Sequence, residues 1–268
     1  MDIALDRHLP LLDARIVWSE DGGPFRTVIN GRKRHPTGKV GSGSPKSGFR
    51  SLPLESVTCE GNVFRIAEAS TAVLEIITQP HRLEMYLEGR RKPLIFFPDI
   101  FMRIETELAE ALSDGVPFEK AALAWRPQRT RQGSVPLLLE VKAKSDKRSQ
   151  EPDYLAKLSL ARLVYRKVGL HFAVVEEGVD FGSRLPEAVG DVIFDDDVEI
   201  RPGDFATAVR ALGFGNSPRT YEYMTHALGG EHVGPAKLHA LHVRRVVSID
   251  ISRPLFASTP VRLVERET

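Results

Sequence analysis

A single cysteine, Cys59, stands among 268 residues, so no internal disulfide can brace the chain, and a reducing compartment suits it. Long apolar runs are missing too. The longest, 93–98 and 136–139, fall far short of the ~20 residues that cross a bilayer, so no membrane partner is expected. The opening Met-Asp-Ile-Ala-Leu-Asp-Arg-His lacks the basic-then-apolar layout of a secretion signal, and the expected location is the cytoplasm. There is no internal repeat and no His-Glu-x-x-His spacing. His226, His232, His239 and His242 crowd the tail but read as structural or surface groups. Gly213-Phe-Gly-Asn lacks both the glycine spacing and the preceding strand of a nucleotide-binding loop. Cys59 has no histidine partner nearby and reads as a small packed residue, not a nucleophile.

A hydrophobic fraction of 42% is enough to bury a real core. Net charge is only +1, so distribution is more informative than the sum. Residues 26–50 carry Arg26, Arg32, Lys33, Arg34, Lys39, Lys46 and Arg50 with no acid among them. A second basic stretch, 126–148, includes Arg129, Arg131, Lys142, Lys144, Lys147 and Arg148. Such clusters suit phosphate contacts, or else form a solvated arm. The expected DNA contacts are Arg32, Lys33, Arg34, Lys39, Lys46, Lys144, Lys147 and Arg148.

Residues 21–50, rich in Gly, Pro, Ser and Lys, read as an arm with little regular structure. Val57, Glu60, Phe64 and Ala67 recur at helical spacing, which predicts a helix over 56–69. Short strands are expected at 73–78 and 83–87, with a Gln79-Pro80 turn between them. Leu94 to Phe101 reads as one strongly apolar strand. Helices are expected at 104–112 and 118–124. Residues 135–142 read as a central strand, followed by a helix capped by Asp153 and ended by Gly169, then a strand at 170–176. That strand–helix–strand order makes a parallel βαβ unit, and the hairpins before it imply a mixed sheet. In the tail, helices at 204–212, 219–228 and 235–241 precede strands at 246–251 and 260–264, the pattern of a small winged-helix module. Asp195-Asp-Asp197 reads as a solvated turn rather than a metal cluster. The expected architecture is α/β, with a mixed sheet flanked by helices over 1–180 and a winged-helix-like domain over 181–268.

Chemistry concentrates at two places. In Glu140-Val-Lys142, strand alternation puts Glu140 and Lys142 on one face and Val141 on the other. Asp99, after Pro98, ends a neighbouring apolar run. If those strands pair, the two carboxylates can share one hard cation such as magnesium, and the lysine can serve the attacking water or the developing charge. Pro-Asp alone is a common turn, and Glu-x-Lys is common anywhere. What lifts the pair is their place at the ends of apolar runs, where bare charge is expensive to bury without a purpose. The reading is a metal-dependent DNA endonuclease of the PD-(D/E)XK type.

The order Glu60, Gln79-Pro80, Pro98-Asp99, Glu140-Val-Lys142, then helix and strand, resembles the TnsA-type endonuclease subunits of heteromeric transposases. The resemblance covers roughly residues 30–180 and extends into the tail, with Gly38 to Gly48 matching a Gly/Ser/Lys-rich lead-in. It implies a restriction-endonuclease-like core that nicks the non-transferred strand of double-stranded DNA at transposon ends, beside a DDE-type transposase. It also implies use of Mg2+ (with Mn2+ able to substitute), a winged-helix domain that docks partners and DNA, and an AAA+ regulator ATPase. Carried across, Asp99 and Glu140 bind metal, Lys142 serves the water, and Glu60 contributes from its helix as a third catalytic and metal-binding acid. Glu55 is the rival for that glutamate, and Glu60 is preferred for its spacing to Gln79-Pro80. Gln79 either supports a metal ligand or simply opens its turn, and Lys157 either reaches phosphate or faces solvent. Two other functions stay open. One is a stand-alone nuclease of the same fold serving defence, repair or restriction, and the other is a non-cutting DNA-binding assembly subunit.

Overall fold

Leu137, Leu138 and Leu139 alternate between the two faces of one buried strand, and what each face covers determines where the site can form. The computed structural model describes residues 10–26, 37–125, 133–146, 151–213 and 217–264. In chain order the first elements are β1 (Leu11–Trp18), β2 (Gly38–Gly41), β3 (Ser51–Leu54), α1 (Cys59–Ala69), β4 (Val73–Thr78), β5 (His81–Leu87) and β6 (Leu94–Phe96). They are followed by β7 (Ile100–Glu105), α2 (Thr106–Ser113), α3 (Phe118–Ala122), β8 (Ser134–Lys142), α4 (Pro152–Lys167) and β9 (His171–Glu176). The tail adds α5 (Glu187–Phe194), α6 (Pro202–Leu212), β10 (Arg219–Thr220), α7 (Tyr221–Ala227), α8 (Gly234–Val243), β11 (Val247–Ile249) and β12 (Pro260–Leu263). The architecture is mixed α/β.

The central sheet has the order β4-β7-β8-β9, antiparallel except for the β8–β9 pair. Helix α4 links those two parallel strands, as the expected βαβ unit requires. A second sheet, β1-β5-β6, is antiparallel throughout. Leu138 and α4 residues Leu158, Ala161 and Tyr165 close a core with Leu83, Met85 and Phe96 of this second sheet. Leu137 and Leu139 point the other way, into a larger core that contains α1, α2 and α3 and runs on into the tail through Val189, Met224 and Leu238. Helix α1 is buried at every position but Arg65.

Several expectations need correction. Leu94–Phe101 is not one strand. Pro98 has no N–H to give to a ladder, and the chain leaves the second sheet after Phe96 and enters the central sheet at Ile100. β4 and β5 likewise belong to different sheets, with Gln79-Pro80 at the crossing. Residues 38–48 are not an unstructured arm. They form one strand of the β2–β3 hairpin and a 3₁₀ turn at Pro45–Ser47, docked where Gly43 N–H donates to Asp196 at 3.0 Å. A side chain at Gly43 would meet the Asp197 backbone at 2.7 Å, so only glycine fits. The Asp195–Asp197 turn is therefore packed, not simply solvated. Helix α1 starts at Cys59, three residues late, and Asp153 lies in the first turn of α4, whose cap is Glu151. β1, β3 and α5 had no forecast, and the helix expected over 219–228 begins instead with the strand β10 and runs only over Tyr221–Ala227.

The C-terminal end of α1 is closed from outside the helix. Lys46 Nζ donates to the carbonyls of Glu68 (2.5 Å) and Ser70 (2.7 Å). His242 Nε2 bonds the carbonyl of Ala69 at 2.7 Å, and Arg245 Nε donates to that of Thr71 at 2.7 Å. These donors satisfy carbonyls that a helix end leaves open. Lys46 is 3% exposed, so it is not an available DNA contact as expected, and burial pulls its ammonium down to about 7.

His242 also accepts Ile249 N–H at 2.9 Å on Nδ1, which makes it the neutral, Nε2-protonated tautomer. His242→Ala should therefore leave two buried backbone groups unpaired and cost about 2–5 kcal/mol in urea unfolding. Burial depresses His81 and His242 from 6.5 to about 3. Both take up a proton more readily when unfolded, so stability holds above pH 6.5 and falls as pH drops toward 3. Melting temperature followed against pH should decline across that window, with a shallower decline in His242→Gln. A flat wild-type curve would contradict the neutral, buried assignment.

Candidate active site

The register of β7 on β8 brings the two acids together. Ile100 pairs with Leu139 and Ile104 with Val135, so the strands run side by side despite the long segment between them, which α2 and α3 occupy. One step beyond that ladder, Asp99 stands opposite Glu140. Asp99 N–H donates to Leu139 O at 3.0 Å, and Val141 N–H donates back to Asp99 Oδ2 at 2.8 Å. Because Leu138, Glu140 and Lys142 share a face, Glu140 and Lys142 emerge on the α4 side where the apolar core ends. Asp99, Glu140 and Lys142 are 8%, 7% and 3% exposed, so the charges sit in a protein environment rather than in bulk water.

A cleft of about 280 Å³ opens over them. The expected residues Glu60, Asp99, Glu140 and Lys142 all line it, together with Glu55, Arg26, Tyr154 and Lys157. Lys142 Nζ lies 2.6 Å from Glu140 Oε1 and 3.7 Å from Asp146 Oδ2. The Tyr154 hydroxyl donates to the same Glu140 Oε1. Glu60 Oε2 accepts Glu55 N–H at 3.0 Å, which ties the loop before α1 to the helix's first turn. Glu55 also pairs with Arg26, so both rival glutamates belong to the cleft.

Gln79 links the two walls. Its backbone lies in the left-handed region at φ 49°, its N–H donates to Asp99 O at 2.7 Å, and its carbonyl accepts from Phe25 N–H at 2.7 Å. Its side-chain Oε1 accepts from Arg26 Nε at 2.8 Å, which turns Nε2 toward Asp99 Oδ1 at 3.5 Å. Gln79 thus sits at the bend between β4 and β5 with its side-chain amide facing Asp99. Arg26 lies 4.4 Å from the Phe97 ring centre. Sequence reasoning placed Arg26 in a basic run without a site role, because nothing local signals that it folds back onto Gln79. Tyr154 was missed as well. Its one available signal was position, since the first turn of a crossover helix sits near the C-terminal end of the preceding parallel strand.

Other expected contacts separate from the site. Lys39 on β2 and Lys144 just past β8 are exposed and do not line the cleft. Arg32, Lys33, Arg34, Lys147 and Arg148 lie outside the described residues. Lys157 does line the cleft, with Nζ 5.6 Å from the Phe96 ring centre. Burial pushes the Cys59 thiol up to about 12, against any nucleophilic role. His239 bonds Asp195 at 2.6 Å and the Tyr221 hydroxyl at 2.8 Å, a structural use in keeping with expectation.

Burial, followed by the nearby charges of Glu140 and Glu60, holds the Asp99 carboxyl well above the usual carboxylate range. Glu140 Oε2 is buried and has no hydrogen-bond partner among the described residues. Among those residues no group of three His, Cys, Asp or Glu side chains is arranged to hold an ion. The residues that could hold an ion are Asp99 and Glu140, through the bare Glu140 Oε2 and the weakly bonded Asp99 Oδ1. A pair of this kind suits Mg2+, which commonly takes one or two carboxylates and fills its shell with water and phosphate.

No known protein family and no curated protein matches the chain. Among the described residues no helix is long and apolar enough to cross a membrane.

A raised carboxyl stabilises the fold below its ordinary value, and that contribution is lost as pH rises through the folded value. Ionised Asp99 consequently works against folding at neutral pH. Metal-free Asp99→Asn should melt a few degrees above wild type there, with the gap closing in acid, while divalent cations stabilise wild type alone. A variant that melts lower at neutral pH would show that the carboxylate is not under charge stress.

Proposed function

We propose that this chain is a magnesium-dependent DNA endonuclease of the PD-(D/E)XK type, with Asp99 and Glu140 as metal ligands and Lys142 as the catalytic cation. One observation carries this reading: the β7–β8 register sets Asp99 opposite Glu140, with Lys142 one alternation further along the same face. Bound Mg2+, for which Mn2+ can substitute, supplies Lewis-acid stabilisation of the phosphate's growing charge. The chain's own groups do the rest. Asp99 and Glu140 anchor the cation, and Gln79 supports Asp99. Lys142 Nζ orients the attacking water or donates to a phosphoryl oxygen as the water oxygen adds to phosphorus and the sugar oxygen leaves. Glu60 faces the same cleft from α1. Arg26 and Lys157 are placed to meet the flanking phosphates, as point charges that fix the strand's path.

The narrower reading is a TnsA-like subunit that nicks the non-transferred strand at transposon ends beside a DDE-type transposase, under an AAA+ regulator. Its support is the order of Glu60, Gln79-Pro80, Pro98-Asp99 and Glu140-Val-Lys142. The tail adds to it, because α6, β10, α7, α8, β11 and β12 follow a winged-helix order, with the sheet running β10-β12-β11. Helix α8, where such modules usually read DNA, is packed inside the protein, with residues 238–243 all buried. That favours docking of partner proteins over base reading for the tail.

A transposon-end duplex incubated with Mg2+, with and without the partner transposase, tests both levels. Partner-dependent nicking should fall about 10²–10³-fold in Lys142→Ala and vanish in Asp99→Ala. Nicking by wild type alone would favour the stand-alone nuclease. Nicking that survives Asp99→Ala would move the site elsewhere.

A further inference from the structure

Tyr154 packs at the edge of the core that holds helix α4 and makes polar contacts beyond it. Helix α4 is already held to both sheets by Leu158, Ala161, Val164 and Tyr165. Tyr154 lies a turn before them, half-buried, and turns toward the cleft. Its two polar features each meet a different member of the acid–lysine pair. The hydroxyl donates to Glu140 Oε1, and the ring centre lies 4.2 Å from Lys142 Nζ, within cation–π range. Lys142 reaches the same oxygen at 2.6 Å. Two donors on Oε1 leave Oε2 buried and bare among the described residues.

We propose that Tyr154 is a positioning residue that sets which Glu140 oxygen is left for the cation and holds Lys142 beside it on the face of its ring. The role rests on the nuclease reading above. A carboxylate can rotate and offer either oxygen, and it can also collapse fully onto a neighbouring lysine. A hydroxyl fixed on α4 prevents the first, because it pins one oxygen. The ring limits the second, because it gives the ammonium an attractive surface that is not an anion. Asp146, 3.7 Å from Lys142 Nζ, is another anion that Lys142 meets. Lys142 then keeps two contacts, ring and Asp146, when Glu140 turns its charge to a metal. Outer groups that orient ligands in this way commonly matter as much as the ligands they hold.

The hydroxyl and the ring can be removed separately. Tyr154→Phe keeps the ring, and Tyr154→Ala removes both. Four readouts apply to the full-length protein: melting temperature, Mn2+ affinity by calorimetry, nicking kinetics, and acylation of Lys142 by an amine-reactive ester in metal-free protein. Tyr154→Phe should melt like wild type, bind Mn2+ about tenfold more weakly and lose kcat, with KM for DNA unchanged. Its Lys142 should be acylated as in wild type, whereas Lys142 of Tyr154→Ala should be acylated faster. Wild-type Mn2+ affinity and kcat in Tyr154→Phe would overturn the proposal while leaving the nuclease reading intact. Unchanged acylation in Tyr154→Ala would likewise overturn the hold on Lys142. A wild type that binds no Mn2+ would instead remove the nuclease reading.

Discussion

One hydrogen bond joins the two places where the chain changes sheets. Gln79, between β4 and β5, donates its N–H to the carbonyl of Asp99, between β6 and β7. Proline follows the first crossing residue and precedes the second, so neither segment can continue its ladder. The two sheets must therefore part at one level, and the parting makes the cleft. Asp99 is held there by backbone bonds on both sides, from Gln79 and to Leu139, and its carboxyl is held in turn by Val141 N–H. The acid opposite, Glu140, needs only the pleat of β8 to face it. Positioning by main chain is stiff, and stiffness keeps the two acids facing one another.

The same construction stores electrostatic stress. Four carboxylates, Asp99, Glu140, Glu60 and Glu55, share a cleft with only partial access to water, where Lys142 lies close to Glu140 and Arg26 to Glu55. A fold that tolerates this must be anchored elsewhere. The larger core, continuous from β7 and β8 through α1 into the tail, supplies that anchorage. Stability lies in the apolar layer behind the sheet, and stress lies at its edge.

Much of this was legible from residue order. The alternation in 137–142 places Glu140 and Lys142 on one face with no further information, and the βαβ unit follows from the apolar runs on each side of α4. Register was not legible, because the pairing of β7 with β8 depends on a fold-back across α2 and α3 that no local pattern encodes. The break within Leu94–Phe101 was written in Pro98, but apolar continuity masked it. Lys46 misled because composition counts its charge, while its fate is decided by open carbonyls on α1, far along the chain. Arg26 and Tyr154 stayed hidden for the same reason: their partners, Gln79 and Glu140, are close only in space. Three helices and two closing strands of the tail were readable, but α5, β10 and the burial of α8 were not.

The donors that close α1 come from Lys46, His242 and Arg245, so opposite ends of the chain finish the helix that carries Glu60. Severing the polypeptide near residue 180 would leave the carbonyls of Ala69 and Thr71 bare and uncover the apolar flank of α1. The half that carries the cleft is thus not a portable cassette. An engineer wishing to move it into another protein would have to carry the tail along, or rebuild the helix end it supplies.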